Sequence, residues 1–291
     1  MSVSTENLKK LREMTNVPLM QCKKALEEAN NDLNEAVEIL RKSGEAKAVS
    51  KSGRAATEGV IVTAIAPNGK KAVLVELNSE TDFVANNELF LDYANALAEA
   101  ALASGSDDVQ AIMAETKDGE TLEATRHQLV QKLGENIQLR RIQFIDAEGG
   151  IASYQHGRKI GVVVALAKAD DAIGKDIAMH VAAVNPQAVS IEDLPKDLVE
   201  KETAICRAQV DNLNKPQDIV EKILQGKVSK VLNENCLLGQ AFVKEPSQTV
   251  QDYLKQNGND VHRFIRFEVG EGMEKKVENF AEEVRKQVED R

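Results

Sequence analysis

The chain has 291 residues, 42% of them hydrophobic and 29% charged, with a net charge of −10, which is the composition of a globular protein with room for two cores. An acidic surface repels phosphate backbones, so direct nucleic acid binding is not expected, and a protein surface of basic or mixed charge is the better partner. The start, Met1 to Glu6, has no basic stretch leading into an apolar one, and the longest apolar run, Ile160 to Ala167, is too short to span a bilayer. Three widely spaced cysteines (Cys22, Cys206, Cys236) without a CxxC pair suit thiols in a reducing cytoplasm, so the expectation is a cytoplasmic protein with no membrane association.

Residues 1–44 read as a small helical docking module. Helical stretches are expected over Asn7–Met14, Leu19–Ala29 and Leu33–Lys42, with Asn30-Asn31-Asp32 supplying a turn and an N-cap and Gly44 a C-cap. Residues 45–57 are polar, basic and poor in large apolar groups, a linker or an exposed helix. The body that follows repeats itself. Glu58-Gly59-Val60-Ile61 and Glu148-Gly149-Gly150-Ile151 each open a hairpin. The second strands, around Val73–Leu77 and Val162–Leu166, lie 89 positions apart. Each is followed by a polar loop and a helix, Leu89–Leu102 in one half and Lys175–Val184 in the other. Phe90, Tyr93, Ala94, Leu97, Ala98 and Ala101 mark one helical face. Later strands, Ile137–Phe144 and Arg263–Val269, alternate in character. The fold class is α+β: two related subdomains with antiparallel sheets, over 58–147 and over 148–191 with 238–270. Residues 192–237 interrupt the second as two helical stretches, Leu194–Leu213 and Gln217–Leu232, with an apolar stripe that suits an antiparallel helical hairpin. Met273–Glu289 reads as a charged amphipathic helix.

No enzymatic constellation emerges. The sequence has no phosphate-binding GxxxxGK[ST], no GxGxxG after a strand, no HExxH and no GxSxG, and its four histidines show no ligand spacing. Two local features stand out instead. Thr81-Asp82-Phe83-Val84 sits where a strand-like run turns into a helix. In the sister half Asp171 and Ala172 take the places of Asp82 and Phe83, so both acids read as helix N-caps, while the aromatic is not required by the plan. Phe83 is either a core plug on one side or a probe for a partner. Ser153-Tyr154-Gln155-His156-Gly157-Arg158 forms the tip of the second hairpin, either an ordinary polar turn or a contact tip. Its basic-aromatic character also fits RNA, against the charge of the whole chain.

These segments, with Leu11-Arg12-Glu13-Met14-Thr15, Cys22-Lys23-Lys24-Ala25-Leu26, Gly134-Glu135-Asn136-Ile137, Ile177-Ala178-Met179-His180-Val181-Ala182-Ala183 and Phe264–Gly272, resemble the bacterial elongation factor Ts family in order and over essentially the whole chain. The resemblance implies a ubiquitin-associated-like N-terminal module, the two-subdomain core, a coiled-coil hairpin over 192–237 and a C-terminal helix over 271–291. It implies a non-enzymatic guanine nucleotide exchange factor without cofactors, whose partner is elongation factor Tu. By the same resemblance, Thr81, Asp82, Phe83 and Val84 form a wedge that dislocates the partner's magnesium, and Arg12, Leu19, Met20, Leu133, His156, Val243 and Lys244 are partner contacts. The chain departs from the pattern at Asn16 (often Gly), Gln21 (often Asp), and Leu19 and Lys244 (often Met). Lys244 replaces an apolar contact. A general docking scaffold built on residues 1–44 is the rival reading, in which Phe83 is silent.

Overall fold

The structure is a computed structural model that describes residues 3–15, 17–210 and 216–273. The amphipathic helix expected over Met273–Glu289, the turn residue Asn16 and the end of the first hairpin helix fall mostly or wholly outside the described residues.

Three helices come first: α1 (Thr5–Thr15), α2 (Leu19–Glu28) and α3 (Leu33–Lys51). Leu11, Val17, Cys22, Ala25, Leu26, Ala36 and Leu40 close a small apolar centre between them. Asp32 caps α3 as expected, accepting from the Glu35 amide at 2.9 Å. Gly44 does not end α3. The helix runs seven residues further, to Lys51, and Gly44 is buried within it. A Cβ at Gly44 would stand 3.0 Å from Gln131 Oε1 and 3.3 Å from the His127 carbonyl, both on α7 (Leu122–Leu133). The missing side chain therefore serves close helix packing and not helix termination. Residues 45–51, expected to be a linker or an exposed helix, are helical as the far end of α3, and Ala48 is buried in the core of the first half.

The first half follows as β1 (Glu58–Ile65), β2 (Lys71–Ser79), a single turn α4 (Asp82–Ala85) and α5 (Glu88–Ser104). Short elements fill the next stretch: α6 (Val109–Ala114), a minimal hairpin β3 (Thr116–Lys117) and β4 (Glu120–Thr121), then α7 and β5 (Ile137–Asp146). The second half contains β6 (Gly150–His156), β7 (Ile160–Leu166) and α8 (Asp171–Val184). It is interrupted by α9 (Lys196–Val210) and α10 (Gln217–Asn235), and resumes with β8 (Ala241–Phe242), β9 (Glu245–Thr249), α11 (Val250–Gln256) and β10 (Val261–Glu268).

The two larger sheets share one antiparallel plan. In each, the second hairpin strand is central and a later strand pairs on its far side, giving β1-β2-β5 and β6-β7-β10. The central strands are apolar on both faces because both faces are covered. From β2, Val73, Val75 and Leu77 pack with the α5 residues Phe90, Ala94 and Leu97. Ala72 and Leu74 point the other way, toward Val163 and Ala165 of β7. Val162, Val164 and Leu166 of β7 then face Ile177, Ala178 and Val181 of α8. The result is four layers, α5, sheet, sheet and α8, with the repeat related across the sheet–sheet interface. Helices α9 and α10 lie antiparallel: Leu194 and Leu198 pack with Leu232, while Cys206 and Val210 pack with Leu224. No helix among the described residues is long and apolar enough to cross a membrane.

Candidate functional site

Phe83 lies on α4 and is 85% exposed. It fills no core gap. Its neighbours Val84 and Ala85 are buried, so one turn of helix is seated by two small apolar residues and holds an aromatic ring outward. The seating is reinforced before the turn begins. Thr81, not Asp82, is the N-cap, and its Oγ1 accepts from the Val84 amide. The same hydroxyl donates to Glu135 Oε1 at 2.6 Å, and the Thr81 amide donates to Glu135 Oε2 at 2.9 Å. In the sister half the cap is Asp170, which accepts from the amides of Ala172 and Ile173. The capping role shared by the halves thus sits one residue earlier than the acid pair Asp82 and Asp171, which occupy the first helical position, where negative charge suits the helix dipole. Asp82 itself is exposed.

The hairpin tip between β6 and β7 is brought to this turn. Arg158 Nη1 donates to Asn86 Oδ1 at 2.7 Å, and Asn86 follows α4 directly. The tip is also registered on β1. The Ile61 amide donates to the Arg158 carbonyl at 2.8 Å, Gln155 Nε2 donates to the Ile61 carbonyl at 3.2 Å, and Lys159 pairs with Glu58. His156, the last residue of β6, is exposed, and its Nδ1 lies 3.4 Å from the Tyr154 hydroxyl. Phe83 and His156 are therefore carried by two halves of the molecule on elements tied together.

The other candidates stand on separate elements. Arg12, Leu19 and Met20 lie exposed on α1 and α2, with Met14 another exposed apolar side chain nearby in sequence. Leu133, the last residue of α7, is half-buried and packs against the first-half core instead of facing outward. Val243 and Lys244 occupy the turn between β8 and β9. Lys244 pairs with Asp176 of α8, and the Val243 amide donates to His180 Nδ1 at 3.2 Å. Because Nδ1 accepts, the proton sits on Nε2, which donates to Gln240 Oε1 at 2.9 Å. Burial lowers the His180 pKa below the usual histidine range, opposed in part by the Gln240 hydrogen bond. Glu135 and Asn86 have supporting roles that sequence reasoning missed, because their partners are 54 and 72 positions away, and the segment holding Glu135 carried no role of its own in the sequence.

An open groove of about 440 Å³ lies against α5 and α7, lined by Leu89, Tyr93, Lys117, Glu120, Leu129 and Lys132 among others, and does not include Asp82 or Phe83. What the Phe83 region offers is an exposed aromatic group on a capped, hydrogen-bonded turn, the chemistry of a binding anchor.

The family model for elongation factor TS matches residues 80–271. The protein named elongation factor Ts from Alkalilimnicola ehrlichii is 49% identical over 285 residues, covering 98% of each chain. Its namesake from Alcanivorax borkumensis is 50% identical over 278 residues, covering 95% of this chain and 98% of the relative. That from Halorhodospira halophila is 47% identical over 290 residues, covering the whole of both. With two-thirds of its length inside the family model and relatives near half identity from end to end, the chain belongs to the elongation factor Ts family.

Proposed function

We propose that this chain is a cytoplasmic guanine nucleotide exchange factor that binds elongation factor Tu carrying GDP and promotes GDP release, so that GTP can load during translation elongation. The observation that carries the reading is Phe83: 85% exposed on a turn whose cap is hydrogen-bonded to Glu135 and whose neighbours are buried. Asp82 and Phe83 press into the partner's GTPase domain and disturb the contacts that order its magnesium ion and the GDP phosphates. GDP affinity then falls by the factor by which GDP weakens binding of this chain, because coupling between two ligands is reciprocal. The N-terminal helices act as a ubiquitin-associated-like docking module through Arg12, Leu19 and Met20. The α9–α10 pair acts as a coiled-coil hairpin, and Leu133, His156, Val243 and Lys244 add contact area. Binding at these places offsets the distortion of the nucleotide site. No covalent step is required.

The test is release of a fluorescent GDP analogue from elongation factor Tu, with this chain at saturating concentration. Truncating a hot-spot aromatic costs about 2 kcal/mol, so Phe83→Ala lowers the maximal release rate about 30-fold, at roughly tenfold per 1.4 kcal/mol. The thermal midpoint of the free chain stays within about 2 °C, because exposed side chains contribute little to folding. A maximal release rate within twofold of the parent would overturn the wedge.

A further inference from the structure

We infer that Arg158 and Asn86 are positioning residues for Phe83, forming a strut from the second half of the molecule that holds the peptide plane between Asp82 and Phe83. The strut is a chain of two hydrogen bonds. Arg158 Nη1 donates to Asn86 Oδ1 at 2.7 Å, and Asn86 Nδ2 donates to the Asp82 carbonyl at 2.8 Å. The Asn86 backbone amide donates to the same carbonyl at 3.0 Å. That oxygen belongs to the peptide group that leads into Phe83, so residue 86 grips this plane with both its main chain and its side chain. Chemistry leaves the amide one orientation: a guanidinium only donates and a peptide carbonyl only accepts. An aspartate at 86 would keep the arginine but set an acceptor against an acceptor at Asp82. A leucine would lose both bonds.

The far end of the strut is anchored. The Arg158 carbonyl receives the Ile61 amide, and Lys159 pairs with Glu58, so the tip is fixed to β1. On its other side α4 is fixed through Thr81 and Glu135. Phe83 is thus bracketed by one support from its own half and one from the other half. The sister turn has no equivalent, because its helix continues without a break from Asp171 to Val184. In the first half the helix breaks at Asn86-Asn87, leaving a single turn that external support must orient. The position faces outward in both halves, since Ala172 is exposed as well, and the strut holds Phe83 in place there. The strut also links the Phe83 turn to the tip that carries His156.

The inference rests on Phe83 being the group that acts on the partner, and the experiment separates the two. Arg158→Ala, Asn86→Leu and Arg158→Lys are compared in the release assay over a full concentration range, alone and with Phe83→Ala. Misplacing a reacting or pressing group by about 1 Å can cost up to about a hundredfold, and loss of one of two supports is expected to lower the maximal rate about tenfold. The half-saturating concentration stays within about twofold, because docking elsewhere is intact. Arg158→Lys, which keeps a donor, recovers part of the loss. In the Phe83→Ala background, Arg158→Ala has no further effect. A ¹⁹F spectrum of the chain with 4-fluorophenylalanine at position 83 reads the orientation directly: one resonance for the parent, shifted or split by Arg158→Ala and by Asn86→Leu. Parent-like rates and spectra for both strut variants, beside a slow Phe83→Ala, would overturn the strut and leave the wedge standing. A fast Phe83→Ala would overturn the wedge, and the strut's role in exchange with it, whatever the spectra show.

Discussion

Glu76→Gln tests the most densely bonded buried charge in the described residues. Glu76 lies on β2 with no exposed side-chain surface. Its carboxylate accepts from Arg140 Nη1 at 2.9 and 3.0 Å, from Arg141 Nε at 2.6 Å, from Asn78 Nδ2 at 3.1 Å and from the Gly270 amide at 2.8 Å. A bulge in β5 leaves two consecutive arginines opposite one glutamate. Through Gly270 the cluster also pins the turn after β10 to the first sheet. Glutamine keeps the volume but withdraws the charge and turns a donor toward donors. Breaking a buried ion pair costs about 3–5 kcal/mol. The two arginines are 24% and 30% exposed, so water relieves part of their loss, and we expect the lower end, about 3 kcal/mol. The assay is urea unfolding followed by circular dichroism, repeated from pH 7 to pH 3. Burial alone would raise the Glu76 pKa, but the Gly270 amide, Arg141 and Arg140 outweigh it and hold it below the ordinary 4.5. Because the folded pKa is depressed, the stabilisation is complete above about pH 4.5 and is lost as the pH falls through the folded value. The parent and variant curves should therefore converge in acid. A gap under about 0.5 kcal/mol at pH 7, or one that does not narrow below pH 4.5, would refute the reasoning.

His180 should titrate below the ordinary 6.5, since burial disfavours the charged imidazolium, and protonation would also set a second N–H against the Val243 amide. Its contribution to stability is full above that pH and declines as the pH falls through the lower folded value, which NMR titration of the imidazole and unfolding midpoints between about pH 6.5 and 5 would read; a midpoint at or above 6.5 counts against it. Gly161→Ala should destabilise by about 1–3 kcal/mol through overpacking, because its Cβ would fall 2.5 Å from Ile61 Cγ2 in the sheet–sheet interface. Adding Ile61→Ala should make the double variant less unstable than the sum of the singles, by denaturant titration, and strict additivity would contradict the contact.

The sequence by itself determined the periodic and local features. The α5 face from Phe90 to Ala101, the apolar central strands, the Asp32 cap and the 89-residue repeat are written in neighbouring residues, and the repeat already marked Phe83 as surplus to the fold. Its long stretch from 106 to 136 carried no strong period, and it holds short elements, a minimal hairpin and α7, whose ends follow caps more than pattern. Tertiary structure alone decided that Gly44 makes room for α7 instead of ending a helix, and that the caps are Thr81 and Asp170 instead of the acids after them. It alone joined Glu76 to Arg140 and Gly270, and Asn86 to Arg158, pairs separated by 64, 194 and 72 positions. Propensity and periodicity act over a few residues, whereas Glu76 meets Arg140 only once β2 and β5 pair, and Gly270 reaches Glu76 and Arg158 reaches Asn86 only once the two sheets have packed face to face.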